Sequence, residues 1–237
     1  MTKHLWGRGN GESVWLGLLA LGFALASVQW MTAQDQKPDA TQLVLDCMKM
    51  SNSDGDLNIL WWVPEEFWRV SAASNPNVSP AQLDVVVKVI HPYTIVGVSS
   101  GKTGPFAVTY RTEAEVRNLV RLKDSKRNSY SPLPEDQVDP SVPGLFAILK
   151  PAMARTGGAA LQNTYFFAFP GSTKDGTRAC DPTKEGFCEV DLGARQFKWR
   201  LPLGSLLPKQ RCPTCGEILS GAYKFCPYDG TKLAGNK

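Results

Sequence analysis

An α+β fold, with a mixed or antiparallel sheet and several short helices, is what three features of this chain predict. Apolar runs of strand length occupy residues 57–63, 94–98, 106–110, 164–169, 187–192 and 196–200, and runs this short bounded by turn residues read as strands. Capping residues and 3.6-residue spacing mark helices from residue 64, residue 79 and residue 112. The two kinds of segment do not alternate regularly, which argues for an α+β body. At 237 residues, the chain can bury one substantial core with a small appendage.

Taken in order, residues 34–42 are polar with Pro38 and read as a linker, and residues 43–50 are apolar. Residues 51–56, Ser-Asn-Ser-Asp-Gly-Asp, give a turn before the first strand, which carries Trp61 and Trp62. Pro64 occupies a first helical position, and Glu65 and Glu66 then sit at the positive end of the helix dipole. Ser79-Pro80 repeats this logic, ahead of Leu83, Val86, Val87 and Ile90 at helical spacing. Strands on either side of Gly101-Lys-Thr-Gly104 pair around it, and Thr112 with Glu115 forms a capping box. A polar turn at 124–128 and a proline-rich stretch at 132–143 lead to a helix broken or kinked at Pro151. Three further strands follow, and Pro202, Gly204 and Pro208 separate them from a cysteine-bearing tail. The expected organisation is an α+β domain over 43–201, a linker over 202–210 and the tail over 211–233.

Residues 1–33 read as a signal peptide or an N-terminal anchor. Lys3, His4 and Arg8 precede an apolar run, no charge falls between Glu12 and Asp35, and Ala24-Leu-Ala26 supplies the small residues of a cleavage site. The uncharged span also approaches the length that crosses a bilayer, so residues 13–33 would anchor the chain if uncleaved. Either outcome places the remainder outside the cytoplasm, periplasmic or secreted. A net charge of +4, without a basic cluster interleaved with aromatics, argues against nucleic acid as a partner.

Several chemical signatures fail on inspection. Gly97 to Gly101 has three intervening residues where a phosphate-binding loop needs four, and Gly104-Pro105 stops the helix that must follow. Residues 52–56 lack the acidic series of a calcium loop. Asn77-Val-Ser79 is a glycosylation sequon weakened by Pro80. Beyond the leader His91 stands as the only histidine, with no local motif that supplies a triad. Glu65 and Glu66 are explained by the helix terminus. Trp61, Trp62, Phe67, Trp68, Tyr165, Phe166, Phe167 and Phe169 read as core, a partner-binding patch being the alternative. Cys180 and Cys188 bracket a loop and are expected to form a disulfide in an exported protein, with Cys47 a buried small hydrophobe.

The sharpest signal is in the tail. Cys212-Pro-Thr-Cys215-Gly and Cys226-Pro-Tyr-Asp229-Gly are two knuckles separated by a short polar segment. Thiolates at this spacing grip one tetrahedral cation, and the glycine turns the backbone so that its amides face the sulfurs. Residues 217–219 and 222–225, joined at Ser220-Gly221, can form a hairpin that brings the knuckles together. Over residues 211–233 the chain resembles the zinc-ribbon family. That resemblance implies a small zinc ribbon-like hairpin, Cys212, Cys215 and Cys226 as zinc ligands, and a binding or structural role. Asp229 stands where the family has a fourth cysteine; Asp229 itself, water, Cys47 or His91 could complete the site. Without metal, Cys212 and Cys215 would pair as a disulfide, leaving Cys226 to Cys47 or to no partner.

The function read from these features is that of an exported, non-catalytic protein that binds a protein or cell-surface partner, with zinc in its tail. The alternatives are an extracytoplasmic thiol-disulfide oxidoreductase using Cys212 and Cys215, an unrecognised hydrolase, and a metal sensor or buffer.

Overall fold

A computed structural model describes residues 39–73 and 75–234. The expected export signal and the first part of the 34–42 linker lie outside the described residues. No helix among the described residues is long and apolar enough to cross a membrane. The architecture is α+β, with antiparallel sheets and with helices interspersed among the strands along the chain.

The chain enters through α1 (Ala40–Cys47), whose N-cap Asp39 accepts hydrogen bonds from the backbone N–H groups of Thr41 and Gln42. The helix therefore begins within the segment expected as a linker, because Asp39 satisfies the free amides of its first turn. Strands β1 (Met48–Ser53) and β2 (Asp56–Val63) form a hairpin. Its two-residue turn is Asp54-Gly55, with φ of 55° and 72°, the primed geometry that suits the twist of a hairpin. The turn is thus shorter than the 51–56 segment expected, and Ser51 to Ser53 belong to β1.

β3 (Tyr93–Thr103) is the spine of the first sheet. It pairs along its length with β2, through its first half with β7 (Tyr165–Pro170), and through its last three residues with β4 (Val108–Tyr110). Gly101, Lys102 and Thr103 are strand residues paired with Tyr110, Thr109 and Val108, so the turn expected at 101–104 falls later, where the Gly104 N–H donates to Ala107 O at 2.8 Å. A second sheet has the order β6 (Ser129–Tyr130), β5 (Val120–Lys123), β8 (Gly186–Leu192), β9 (Arg195–Leu201).

Side chains alternate along a strand, so β2 and β3 present two different faces. One face meets the second sheet, where the rings of Trp62 and Trp199 sit 6.1 Å apart. The other meets α2 (Glu65–Ala73) and the long α5 (Ser141–Gln162): Trp61 packs edge-on to Phe67 at 5.1 Å, and Phe146 stacks on Phe166 at 4.0 Å. Trp61, Gly97 and Phe166 lie in one cross-strand row. A Cβ on Gly97 would sit 2.8 Å from the Phe166 ring, so this glycine makes room for the aromatic on its neighbour. The aromatic group is therefore core, with Trp62, Phe167 and Phe169 fully enclosed.

The remaining helices follow their caps. α3 (Pro80–Ile90) and α4 (Glu113–Leu119) both open with a full capping box, Ser79 with Gln82 and Thr112 with Glu115. α5 continues through Pro151 instead of ending there. Cys180 and Cys188 are joined as a disulfide, with their Cα atoms 5.4 Å apart. The proline-punctuated exit is docked, not free: Leu203 is buried, and the Ser205 N–H donates to Asp46 of α1 at 2.8 Å.

Asp124 shows how the polar 124–128 turn is fixed. Its buried carboxylate accepts from the amides of Lys126 and Asn128, the Asn128 side chain and the Tyr130 hydroxyl. Burial alone would raise its pKa, but these donors outweigh burial and hold it below the usual carboxylate value.

Two measurements check this packing. Gly97→Ala is expected to destabilise by about 1–3 kcal/mol in urea unfolding, because the added methyl overpacks the Phe166 row. A depressed folded pKa stabilises above the unfolded value and is lost as pH falls through the folded one. Stability should therefore decline below about pH 4, and an Asp124→Ala variant should show a shallower acid decline.

Candidate metal centre

The tail, residues 211–233, has its own small core of Cys212, Leu219, Cys226 and Leu233. Two turns of matching design build it. In the first, β10 (Gln210–Arg211) pairs with β11 (Ile218–Leu219). The Cys212 N–H donates to Glu217 O at 2.9 Å, and the Gly216 N–H donates back to Cys212 O at 3.0 Å. In the second, Phe225 bridges Lys232, the Cys226 N–H donates to Thr231 O at 2.8 Å, and the Gly230 N–H to Cys226 O at 3.0 Å. Gly216 and Gly230 adopt φ of 77° and 72°. A Cβ would meet nothing closer than 3.8 Å at Gly216 and nothing within 4 Å at Gly230. Backbone conformation, not space, is thus what requires glycine at both positions.

This pattern corrects the expected hairpin between 217–219 and 222–225. Each knuckle closes a ladder with its own flanking residues, because the left-handed glycine reverses the chain within the turn. The crossing segment is held by Gln210, whose side-chain amide donates to Tyr223 O at 2.6 Å and Ser220 O at 3.2 Å. Thr231 ties the second knuckle to the first through Thr214, hydroxyl to hydroxyl at 2.9 Å. Neither Gln210 nor Thr214 was marked by the sequence; a threonine two residues after Asp229 was the only available cue.

The two turns bring Cys212, Cys215, Cys226 and Asp229 together, with all four ligand atoms within 4.8 Å of one another. Cys215 Sγ and Cys226 Sγ are 3.6 Å apart, and Cys212 Sγ lies 3.3 Å from Asp229 Oδ2. Sulfurs about 2.3 Å from a tetrahedral ion would stand about 3.8 Å from each other, so the Cys215–Cys226 separation is close to that spacing and the group could hold one metal ion. The other Asp229 oxygen accepts the Thr231 N–H at 2.8 Å, which aims the carboxylate as a backbone-fixed ligand partner would.

Electrostatics within the group are uneven. The Thr231 backbone and hydroxyl, with the neighbouring thiols, hold Asp229 well below the usual carboxylate range. Cys212 is pushed up by burial, but amides of Cys215 and Thr214 outweigh this and leave it lowered. Cys215 receives the Glu217 amide, yet burial and its thiol and carboxylate neighbours push it up to about 12. Cys212 and Asp229 are thus held toward their anionic forms, and Cys215 and Asp229 are the exposed members of the group.

The other candidate ligands lie elsewhere. Cys47 is buried in the main core, where burial drives its thiol far upward; Trp199 Nε1 donates to its carbonyl at 3.0 Å. His91 faces Glu65 at 2.8 Å. Glu65 also binds Arg69, and Glu66 makes a two-armed contact with Arg178 at 2.6 and 2.9 Å. These acids are occupied as structural ion pairs.

Compared with known protein families, characterised proteins and solved structures, the chain matches none.

Cys226→Ser should weaken metal binding by at least an order of magnitude, since a hydroxyl replaces a soft thiolate. Binding should also fall as pH is lowered, because protons compete for the same sulfurs. Competition titration with a chromogenic chelator at several pH values checks both.

Proposed function

We propose that this chain is an exported, non-catalytic binding protein whose C-terminal module is stapled by one zinc ion held by Cys212, Cys215, Cys226 and Asp229. The convergence of three sulfurs and one carboxylate oxygen within 4.8 Å carries the reading. Soft thiolates in a tetrahedral set favour zinc among common divalent ions. Four protein ligands leave no open position for substrate, which is the pattern of structural zinc. Zinc supplies roughly 10–16 kcal/mol in small finger peptides, and the two leucines of the tail core offer far less. Export rests on the leader-like residues 1–33.

The module would present, not react. Ile218, Tyr223, Phe225 and Tyr228 are exposed on it, and aromatic side chains at this density favour protein recognition. A thiol-disulfide centre wants its first cysteine accessible at a helix N-terminus. Here Cys212 is buried and is followed by a tight turn and β11.

Elemental analysis of the purified chain with thiol counting tests the proposal. Near one equivalent of zinc, with three thiols protected until a chelator is added, is expected. A Cys212–Cys215 disulfide in an ordered, metal-free protein would overturn it.

A further inference from the structure

The face of β2 and β3 that meets the second sheet changes character along its length. Its cross-strand rows run Trp62 with Val96, Leu60 with Val98, Asn58 with Ser100, and Asp56 with Lys102. The apolar rows are covered by the second sheet. Asn58 and Ser100 are as thoroughly buried as a core pair, 4% and 2% exposed, although their polar groups gain nothing from removal from water. A face serving only to pack sheets would carry apolar residues at this row.

These polar rows line a cleft of about 510 Å³ between the sheets, within the range of small-molecule sites. Arg111, at the end of β4, and the β8–β9 turn with Gly193 and Arg195 form its other walls. A relay holds the floor: Arg111 Nε donates to Ser100 Oγ at 3.1 Å, which donates to Asn58 Oδ1 at 2.7 Å. Arg195 Nη2 donates to Ser53 O at 2.9 Å and Asp54 Oδ2 at 2.7 Å.

Both guanidiniums carry five donors, and these contacts engage only part of each. Asp56 Oδ1 is sealed from solvent without a hydrogen bond. Its cationic neighbours Arg111 and Lys102 stand back at 3.6 and 3.8 Å. Donor-bearing Asn58, Arg111 and Arg195 and the carboxylates Asp54 and Asp56 thus line one cleft.

We propose that this cleft binds a small zwitterion, an α-amino carboxylate. Its carboxylate would take the donors of Arg111, Arg195 and the Asn58 amide, and its ammonium group would meet Asp56 and Asp54. Charge balance selects this class: the lining's two arginines and two aspartates are already paired as Arg195 with Asp54 and Arg111 with Asp56, so a ligand with one charge of each sign keeps the cleft neutral, whereas a phosphate adds net negative charge. The site shares no residue with the cysteine cluster and stands or falls independently of zinc.

Calorimetric titration of the full chain with glycine and L-serine, using glycolate and inorganic phosphate as comparators, tests this. Saturable binding of an amino acid, weakened at least tenfold in both Arg195→Gln and Arg111→Gln, is expected. Arg195 pairs with an exposed aspartate, so its replacement should leave folding intact, and circular dichroism verifies that each variant is native. Binding only of glycolate or phosphate, binding unaffected by Arg195→Gln, or no binding by any probe would each overturn the assignment.

Discussion

Sulfur geometry is the constraint on which the C-terminal module depends. Its core consists of two cysteines and two leucines, too little apolar area to offset the ordering of residues 211–233. The turns are nevertheless specific. Each uses a cysteine at the entry, a left-handed glycine at the exit, and a paired set of backbone hydrogen bonds across it. The result is four donors facing inward from two loops that share no strand. Unliganded, such a group concentrates partial negative charge with nothing to balance it. With a divalent ion at its centre, the same group becomes the strongest cross-link in the segment.

The body is organised on a different principle. β3 alone joins three neighbouring strands, so its two faces define the layers: helices over one, the second sheet over the other. The Trp62–Trp199 contact fixes the intersheet seam. The seam opens toward the β1–β2 turn, where the rows become polar and the Arg111–Ser100–Asn58 relay replaces hydrophobic packing. Apolar rows supply stability, and polar rows at the same interface line the cleft.

Much of this was legible in the residues. The apolar runs gave β2, β7, β8 and β9 nearly to the residue, and the cap at Ser79 and the capping box at Thr112 gave α3 and α4, because these signals are local. The Cys180–Cys188 pair followed from its loop. The start of α1 was obscured because Asp39 looks like a linker residue until its side chain caps the helix. Continuity of α5 through Pro151 was hidden because a proline removes one hydrogen bond without always ending a helix. In the tail, the candidate ligands could be read from spacing, but the strand partners could not, since the same polar residues suit one hairpin or two. The cleft was invisible for a further reason: Asn58 and Ser100 become neighbours only through the β2–β3 register, which no local pattern specifies.

Amide hydrogen exchange across residues 211–233, measured in zinc-loaded protein and again after chelation under reducing conditions, tests the central claim most directly. Protection at Cys212, Gly216, Cys226 and Gly230 that collapses on chelation, while β3 remains protected, is the expected result. Equal protection in both states would contradict the account, because the knuckles would then be holding their shape without a metal.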